Sequence, residues 1–131
     1  MNIVITLPSH LIDAIISGEK TIEISKTKPR NFEISSDWVY VVERGTKDVV
    51  IAFSVRYFSY YHNNLMAWHY CKDKCGISEM QFRQYTDNAR YIVLWHICVV
   101  QTFSVPVDLV EELGVSRAPQ SYCYVKDPLW R

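Results

Sequence analysis

The positions of apolar and polar residues predict a strand, an amphipathic helix and a second strand at the start of the chain. Residues 2–7 are apolar or β-branched at nearly every position, which favours a strand. The apolar residues after Pro8 recur at helical spacing, Ser9 is a candidate N-cap, and Gly18 can end the helix in the left-handed conformation. Residues 20–25 alternate between apolar and polar, as in a strand with one buried face.

Three later segments extend the predicted sheet. Residues 37–43 and 49–57 are apolar on nearly both faces, and the connection between them has the length and the glycine of a hairpin. Residues 121–125 alternate again and are expected to form the last strand. Tight hairpins followed by a late closing strand are typical of a small curled sheet or barrel.

The longest strand candidate spans residues 90–104. It is too long to run flat, so we expect a bend or bulge near residues 100–102. Pro106 then leads into a short helical turn over residues 107–113, which Gly114 ends.

The strand pattern is interrupted at about residues 59–89. The spacing there favours two short helices, and Ser78 followed by Gln81 is a capping-box spacing that would begin the second. We interpret this segment as a helical insert laid across one end of a barrel, where it would act as a lid. The whole pattern predicts an α+β, mainly β fold in one domain over residues 1–131: a barrel of about six strands with an N-terminal helix and this insert.

The amino-acid composition limits the classes of ligand and of activity that are expected. The 131 residues carry 14 Lys and Arg against 14 Asp and Glu, so the net charge is zero and any nucleic-acid contact should be a local patch. Nine Tyr, four Trp and five Phe supply the core and leave candidates for stacking on bases. The four glycines form no phosphate-binding loop, which argues against nucleotide hydrolysis of the P-loop or dinucleotide kind.

The sequence indicates a cytoplasmic protein. Its first ten residues have neither a cationic start nor a small-residue cleavage site. No apolar run approaches the roughly 18 residues that span a membrane. We therefore expect no membrane contact, and free thiols at Cys71, Cys75, Cys98 and Cys123.

The candidate site is the segment from Gly18 to Arg30, GEKTIEISKTKPR. It concentrates positive charge in a neutral chain: its cations are Lys20, Lys26, Lys28 and Arg30, against the carboxylates of Glu19 and Glu23. Such a cluster favours an anion site, most plausibly for a phosphate backbone, and the alternative is a solvated loop. The Lys20–Glu23 pair is either an ion pair without a function or, in a cleft, a pair that polarises or deprotonates a bound group.

Aromatic and amide side chains elsewhere in the chain are candidates for recognising a base. Tyr122, Tyr124 or Trp68 could stack on it, and Gln120 could hydrogen-bond to its edge. The alternative for each aromatic residue is a place in the core.

Clusters of histidine and cysteine give weaker signals. His69, Cys71 and Cys75 lie close together, but a C-x3-C spacing without a second pair is not typical of zinc sites, so we expect no metal and no cofactor. His96 and Cys98 would share a strand face with no acid nearby to orient the histidine. A core thiol and a satisfied histidine are therefore preferred to a catalytic pair.

Two stretches of the chain resemble the ASCH domain of the PUA-like superfamily. The pattern G-x-K-x-x-E at Gly18, Lys20 and Glu23, followed by a basic loop, is similar to the family's motif. Residues 114–125, GVSRAPQSYCYV, resemble the closing segment of bacterial and phage-type members. The resemblance implies a small PUA-like β-barrel with a cleft at the motif, and a module that binds RNA or nucleotides.

The expected ligand is RNA or a nucleotide, single-stranded or with a modified base. The expected contacts are Lys20, Glu23, Lys26, Lys28, Arg30, Arg117, Gln120, Ser121 and Tyr122. The family's usual arginine two residues after the glutamate is Ser25 in this chain. Lys26 beside it would supply the charge without the bidentate geometry of a guanidinium.

Enzymatic and protein-binding alternatives stay open. Some small ASCH proteins are amidohydrolases on acetylated cytidine, which use the matching lysine with a threonine three residues later. That position is Glu23 here, so we favour a protein that is not an enzyme, although Lys20 and Glu23 could serve as acid and base of a ribonuclease. The insert could instead bind a protein partner through exposed aromatic residues: Tyr60, Tyr61, Trp68 and Tyr70.

Overall fold

Residues 1–125 are described by the structure, a computed structural model. Six strands and three helices follow one another along them, and the predicted α+β, mainly β class is confirmed. In chain order the elements are β1 Asn2–Leu7, α1 Ser9–Ser17, β2 Ile22–Ser25, β3 Val39–Glu43, β4 Asp48–Tyr61, α2 Asn64–Cys71, α3 Glu79–Thr86, β5 Ile92–Asp108 and β6 Tyr122–Val125.

All six strands belong to one mixed sheet. Its order is β2-β5-β4-β3-β1-β6, with β1 parallel to β3 and the other neighbouring strands antiparallel. The sheet is not closed, in contrast to the predicted barrel, because β2 and β6 lie at its opposite edges. The last strand, β6, pairs with one side of β1, and β3 pairs with the other side. Strand β6 therefore extends the sheet at its edge and does not close it into a barrel.

Helix α1 packs its apolar stripe on one face of the sheet. Leu11, Ile12 and Ile15 are buried there, and Gly18 ends the helix at a φ of 86° with its N–H donating to the Ile15 carbonyl. The prediction of Ser9 as N-cap is wrong: Pro8 occupies that position, and no side chain of residues 1–125 caps the helix. Within that range the first turn therefore keeps backbone N–H groups without a side-chain partner.

Strand β5 is longer and more irregular than predicted. Its pairing with β4 shifts on both sides of the predicted bend near residues 100–102. The strand continues through Pro106 to Asp108, so the helical turn predicted from residue 107 is wrong over its first two residues. Pro106 is tolerated because it lies where the register shifts, and a bulge does not need its missing N–H.

The helical insert begins later than predicted. Strand β4 runs on to Tyr61 because its aromatic residues pair with the start of β5. Helices α2 and α3 follow, and α3 begins with the capping box formed by Ser78 and Gln81, as predicted.

The sheet is covered on both faces, and this arrangement places the site. One face carries α1, with Trp95 among its buried side chains. The other face carries the insert at the β2 and β5 side, through Ala67, Cys71 and Phe82, and a second apolar cluster around β3. Within residues 1–125 no helix is both long enough and apolar enough to cross a bilayer.

Candidate functional site

A cavity of about 300 Å³ opens beside the edge strand β2. It lies between α1, the insert and the segment that leads into β6, and we call it the Lys20 cavity. Its polar lining comes from His10, Lys20, Glu23, Ser25, Arg44, Gln81, Tyr85, Gln120, Ser121 and Tyr122. Ligand pockets start at about this volume, so the space suits a small ligand or one residue of a polymer.

Lys20 is buried in the wall of this cavity, with only 2% of its surface exposed. Its Nζ donates to the carbonyl oxygens of Ile22 at 2.7 Å and Cys75 at 2.8 Å. The same atom lies 3.1 Å from Glu23 Oε1. An ammonium group has three donors, so Lys20 has an acceptor for each of them within the protein.

The backbone around Gly76 holds Lys20 in place. A Cβ at Gly76 would lie 3.1 Å from Leu11 Cδ2, which is closer than most side chains allow, and in ordinary contact with Lys20 Cδ at 3.4 Å. Two residues before Gly76, the carbonyl of Lys74 accepts from the backbone N–H groups of Thr21 and Ile22. The loop that follows α2 is thereby joined to the start of β2.

Glu23 presents an unused acceptor to the cavity. Its Oε1 receives both the Lys20 ammonium and the backbone N–H of Ile24, at 3.1 Å each. No hydrogen bond within residues 1–125 engages Oε2, which is therefore available to a ligand. Trp95 is the partner of Glu23 across the β2–β5 pair, and its buried Nε1 has no hydrogen-bond partner within residues 1–125.

Tyr85 forms the rim on the side of the insert. Desolvation, followed by the charge of Glu23, raises the pKa of Tyr85, so its hydroxyl stays protonated and can donate. Lys26 Nζ lies 4.8 Å from the centre of the Tyr85 ring, which puts a cation at the mouth of the cavity.

The opposite rim belongs to the segment before β6. Thr6 Oγ1 donates to the carbonyl of Pro119 at 2.7 Å, which fixes this segment against β1. The basic loop also reaches β6, because the backbone N–H of Asn31 donates to the Tyr124 hydroxyl at 3.2 Å. Burial raises the pKa of Tyr122, and the charge of Arg30, the residue before Asn31, acts against that rise.

Comparison with solved structures identifies the fold. No protein-family model matches the sequence, and a comparison with curated proteins also gives no match. The ASCH protein of Zymomonas mobilis superposes on this chain with a TM-score of 0.78 at 23% identity, covering 95% of this chain and 87% of that one. The chain has the ASCH fold.

Two mutants of the same Zymomonas mobilis protein agree. A serine-to-alanine mutant gives a TM-score of 0.82 and a tyrosine-to-phenylalanine mutant 0.80, each at 21% identity. They cover 95% of this chain and 88% and 90% of their own. The ASCH fold therefore accounts for nearly the whole chain, as the two motifs implied.

Within this ASCH fold the structure gathers part of the expected site. Of the residues expected to contact the ligand, five line the Lys20 cavity: Lys20, Glu23, Gln120, Ser121 and Tyr122. Lys26 and Arg30 lie by its rims, whereas Lys28 sits 5.3 Å above the Phe58 ring and Arg117 is exposed outside the lining. Tyr124 and Trp68 do not line the cavity either, and Trp68 packs on Phe82.

Several lining residues were not among the expected contacts, and they include His10, Arg44, Gln81, Tyr85 and Trp95. Arg44 reaches the cavity because its N–H donates to the Leu7 carbonyl at 2.9 Å, at the end of the parallel β1–β3 pair. Only that long-range pairing would have revealed it. Trp95 becomes visible only once the register of β5 against Glu23 is known.

The histidine and cysteine clusters do not converge on a metal. Among residues 1–125 no three His, Cys, Asp or Glu side chains come together, and His69 is exposed while Cys71 and Cys75 are buried. A hydrogen bond from Cys71, with help from the Lys20 charge, lowers the pKa of Cys75 to about 6. Cys98 is exposed, so its predicted place in the core is wrong.

The aromatic residues expected to bind a protein partner divide into two groups. Tyr60 and Tyr70 are exposed, by 51% and 40%, whereas Tyr61 and Trp68 are partly buried against the core of the insert.

Proposed function

We propose that this chain binds RNA or a nucleotide in the Lys20 cavity. The observation that carries the proposal is the meeting of two distant segments, Lys20–Ser25 and Gln120–Tyr122, around one space of about 300 Å³. That space combines cations, an available carboxylate oxygen and aromatic rings, which is the set of groups that single nucleotides require.

The cations at the cavity suit a phosphate. Arg44 and His10 line it, and within residues 1–125 the Arg44 side chain forms no ion pair. Arg44 can therefore offer its planar fork of N–H donors to phosphate oxygens. Lys26 and Arg30 at the rims would contact the neighbouring phosphates of a longer strand.

The groups around Glu23 suit a base. Oε2 of Glu23 can accept from an amino or imino group, while the Tyr85 hydroxyl and the Gln120 amide can donate to a ring nitrogen or carbonyl. The rings of Tyr85 and Tyr122 offer faces for stacking. A base bound by these groups would be recognised at its edge as well as by its shape.

Lys20 has a positioning role in this proposal. Because its three donors are bound to Ile22, Cys75 and Glu23, it fixes the Glu23 carboxylate and does not contact the ligand itself. Hydrolysis by Lys20 and Glu23 would require one of these contacts to break inside a buried wall. We therefore favour binding over catalysis.

The test measures binding of the four nucleoside monophosphates and of short single-stranded RNAs by calorimetry at two salt concentrations. Glu23→Gln keeps the size of the side chain and should weaken the preferred nucleotide about 10-fold, and Arg44→Ala should weaken all four similarly. Arg117→Ala is the matched control, since Arg117 is an exposed arginine outside the lining, and it should change affinity less than 2-fold.

Equal binding by the wild type and by Glu23→Gln and Arg44→Ala would reject the cavity as the site. Incubation of the same proteins with acetylcytidine and with end-labelled RNA tests the enzymatic alternative. Turnover by the wild type that is lost in Glu23→Gln would replace binding with hydrolysis as the function.

A further inference from the structure

We propose that Tyr57 and His96 form a second base-stacking site, for single-stranded RNA, on the face of the sheet opposite the Lys20 cavity. Neighbouring residues of a strand point to opposite faces, so His96 faces away from the cavity that Trp95 lines. On β4, Tyr57 is the partner of His96. The two rings therefore belong to a surface that the proposed nucleotide site does not use.

The two rings are stacked, and the outer one is open to solvent. Their centroids are 3.9 Å apart and their planes differ by 16°. His96 is 9% exposed and its Nε2 lies 2.8 Å from Ser59 Oγ, which fixes the imidazole, whereas Tyr57 is 43% exposed. One face of the Tyr57 ring is covered by a fixed imidazole, and the exposed part of the ring is where a base can stack.

A second aromatic residue borders this stack. Tyr70 on α2 is 40% exposed, and its ring lies 5.9 Å from that of His96 at 66°. The neighbouring Tyr70 hydroxyl raises the pKa of Tyr57, first through a hydrogen bond. Two exposed tyrosines held against a buried histidine make a surface with little side-chain freedom to lose on binding.

Cations lie beside the rings. Lys74 Nζ is 4.6 Å from the centre of the Tyr70 ring, and the Lys74 carbonyl is held by the N–H groups at the start of β2. Arg56, next to Tyr57, is exposed, and its charge acts on the Tyr57 hydroxyl. Asp73 is the single acidic residue between Tyr70 and Cys75.

This combination favours a nucleic acid over a protein partner. The groups at this surface are ring faces and cations, and two exposed aliphatic residues of the insert, Leu65 and Met66, line a different pocket. Stacked bases with a phosphate backbone complement ring faces and cations together, as in proteins that hold single strands. The stacking is expected to tolerate any base because every base has a π-face.

The experiment uses the full chain and a fluorescein-labelled oligoadenylate of about 12 nucleotides, followed by anisotropy at low and moderate salt. Tyr57→Ala should weaken binding about 5- to 100-fold, and Tyr57→Phe, which keeps the ring, should stay within about 2-fold. Tyr60→Ala is the matched control: Tyr60 is 51% exposed on the same strand, but it contacts Tyr91 and not His96. It should also stay within about 2-fold.

Two further measurements keep the test decisive. An abasic strand of the same length should bind the wild type at least about 5-fold more weakly than oligoadenylate. If Tyr57→Ala does not fold, Lys74→Ala replaces it, and its log-affinity should depend less steeply on log salt, by about 0.7 for one lost phosphate contact. The proposal is overturned if the abasic strand binds as tightly as oligoadenylate, or if Tyr57→Ala leaves the affinity for oligoadenylate unchanged. It is also overturned if Lys74→Ala leaves the salt slope unchanged, or if Tyr60→Ala loses as much affinity as Tyr57→Ala.

The outcome is separable from that of the Lys20 cavity. One adenosine monophosphate is too small to occupy both sites together. Its affinity for the Lys20 cavity should therefore be the same in the wild type and in Tyr57→Ala. If no monophosphate binds but the oligoadenylate still depends on Tyr57, the cavity proposal fails and the stacking site stands. If the monophosphate binds and the oligoadenylate ignores Tyr57, the stacking site fails alone.

Discussion

The two halves of the segment from Gly18 to Arg30 have similar composition and different roles in the structure. In the first half, Lys20 is 2% exposed and its ammonium is bound by two carbonyls and a carboxylate. In the second half, Lys26 and Lys28 are exposed and lie over aromatic rings. Burial makes the difference, because a buried ammonium needs internal acceptors whereas an exposed one keeps its water and can exchange it for a ligand.

This difference assigns the two halves separate tasks. The first half builds the wall of the cavity and fixes Glu23, and the second half carries exposed charge, with Lys26 and Arg30 by the rims. Sequence composition counts all these cations alike, so it cannot separate a cation that holds the protein together from one that is available to a phosphate.

The largest effect is expected from Lys20→Met. The change leaves the carbonyls of Ile22 and Cys75 and the carboxylate of Glu23 without their partner, and it should lower the free energy of unfolding by about 3 kcal/mol. Lys28→Met is the matched control and should stay within about 0.5 kcal/mol. Urea unfolding of both variants measures the difference, and equal losses would show that burial does not distinguish the two lysines.

Gly76→Ala is expected to have the next largest effect. A side chain at a φ of 76° is strained, and the new Cβ would press on Leu11 at 3.1 Å, so we expect a loss of about 2 kcal/mol. Gly45 has a similar φ of 84° with nothing within 4 Å of the added Cβ, so Gly45→Ala should cost about 1 kcal/mol. Thermal unfolding of the two variants isolates the close packing of Gly76 against Leu11, and a smaller loss in Gly76→Ala than in Gly45→Ala would contradict it.

The exposed charges of the second half should affect binding and leave the fold alone. Replacing Lys26, Lys28 and Arg30 together by alanine should weaken short RNAs about 10-fold at low salt and flatten the salt dependence by about 1 to 2 in log–log slope. The unfolding midpoint in urea should change little, since all three are exposed. A destabilised fold with unchanged RNA affinity would reverse the roles given to the two halves.

Burial should also govern how stability responds to acid, through His96. Desolvation, followed by the charge of Lys74, lowers the pKa of His96 below 6.5, so the unfolded chain binds the proton more readily than the folded one. The free energy of unfolding should therefore be highest above about pH 6.5, the unfolded pKa. It should fall as the pH drops from there toward the lower folded pKa. Urea unfolding between pH 5 and 8 should show a shallower decline in His96→Asn, and an identical decline would assign the effect to other groups.

Local features of this fold were predictable, and features that depend on distant pairing were not. The helix that ends at Gly18, the capping box at Ser78 and the last strand follow from spacing within a few residues. The open sheet and the place of Arg44 follow from the parallel β1–β3 pair, which no local pattern reveals. Trp95 faces the cavity because of its register against Glu23, and a shift by one residue would put it on the other face.

The most direct test of the cavity is a set of ¹H–¹⁵N NMR spectra recorded while each nucleoside monophosphate is added. Trp95 supplies a specific reporter, since its indole N–H is buried beside the cavity without a partner in residues 1–125. The proposal predicts that this resonance shifts together with the backbone signals of Glu23 and Ser121, while that of Tyr60 stays in place. Saturating shifts elsewhere with an unmoved Trp95 signal, or no shift up to about 10 mM ligand, would contradict it.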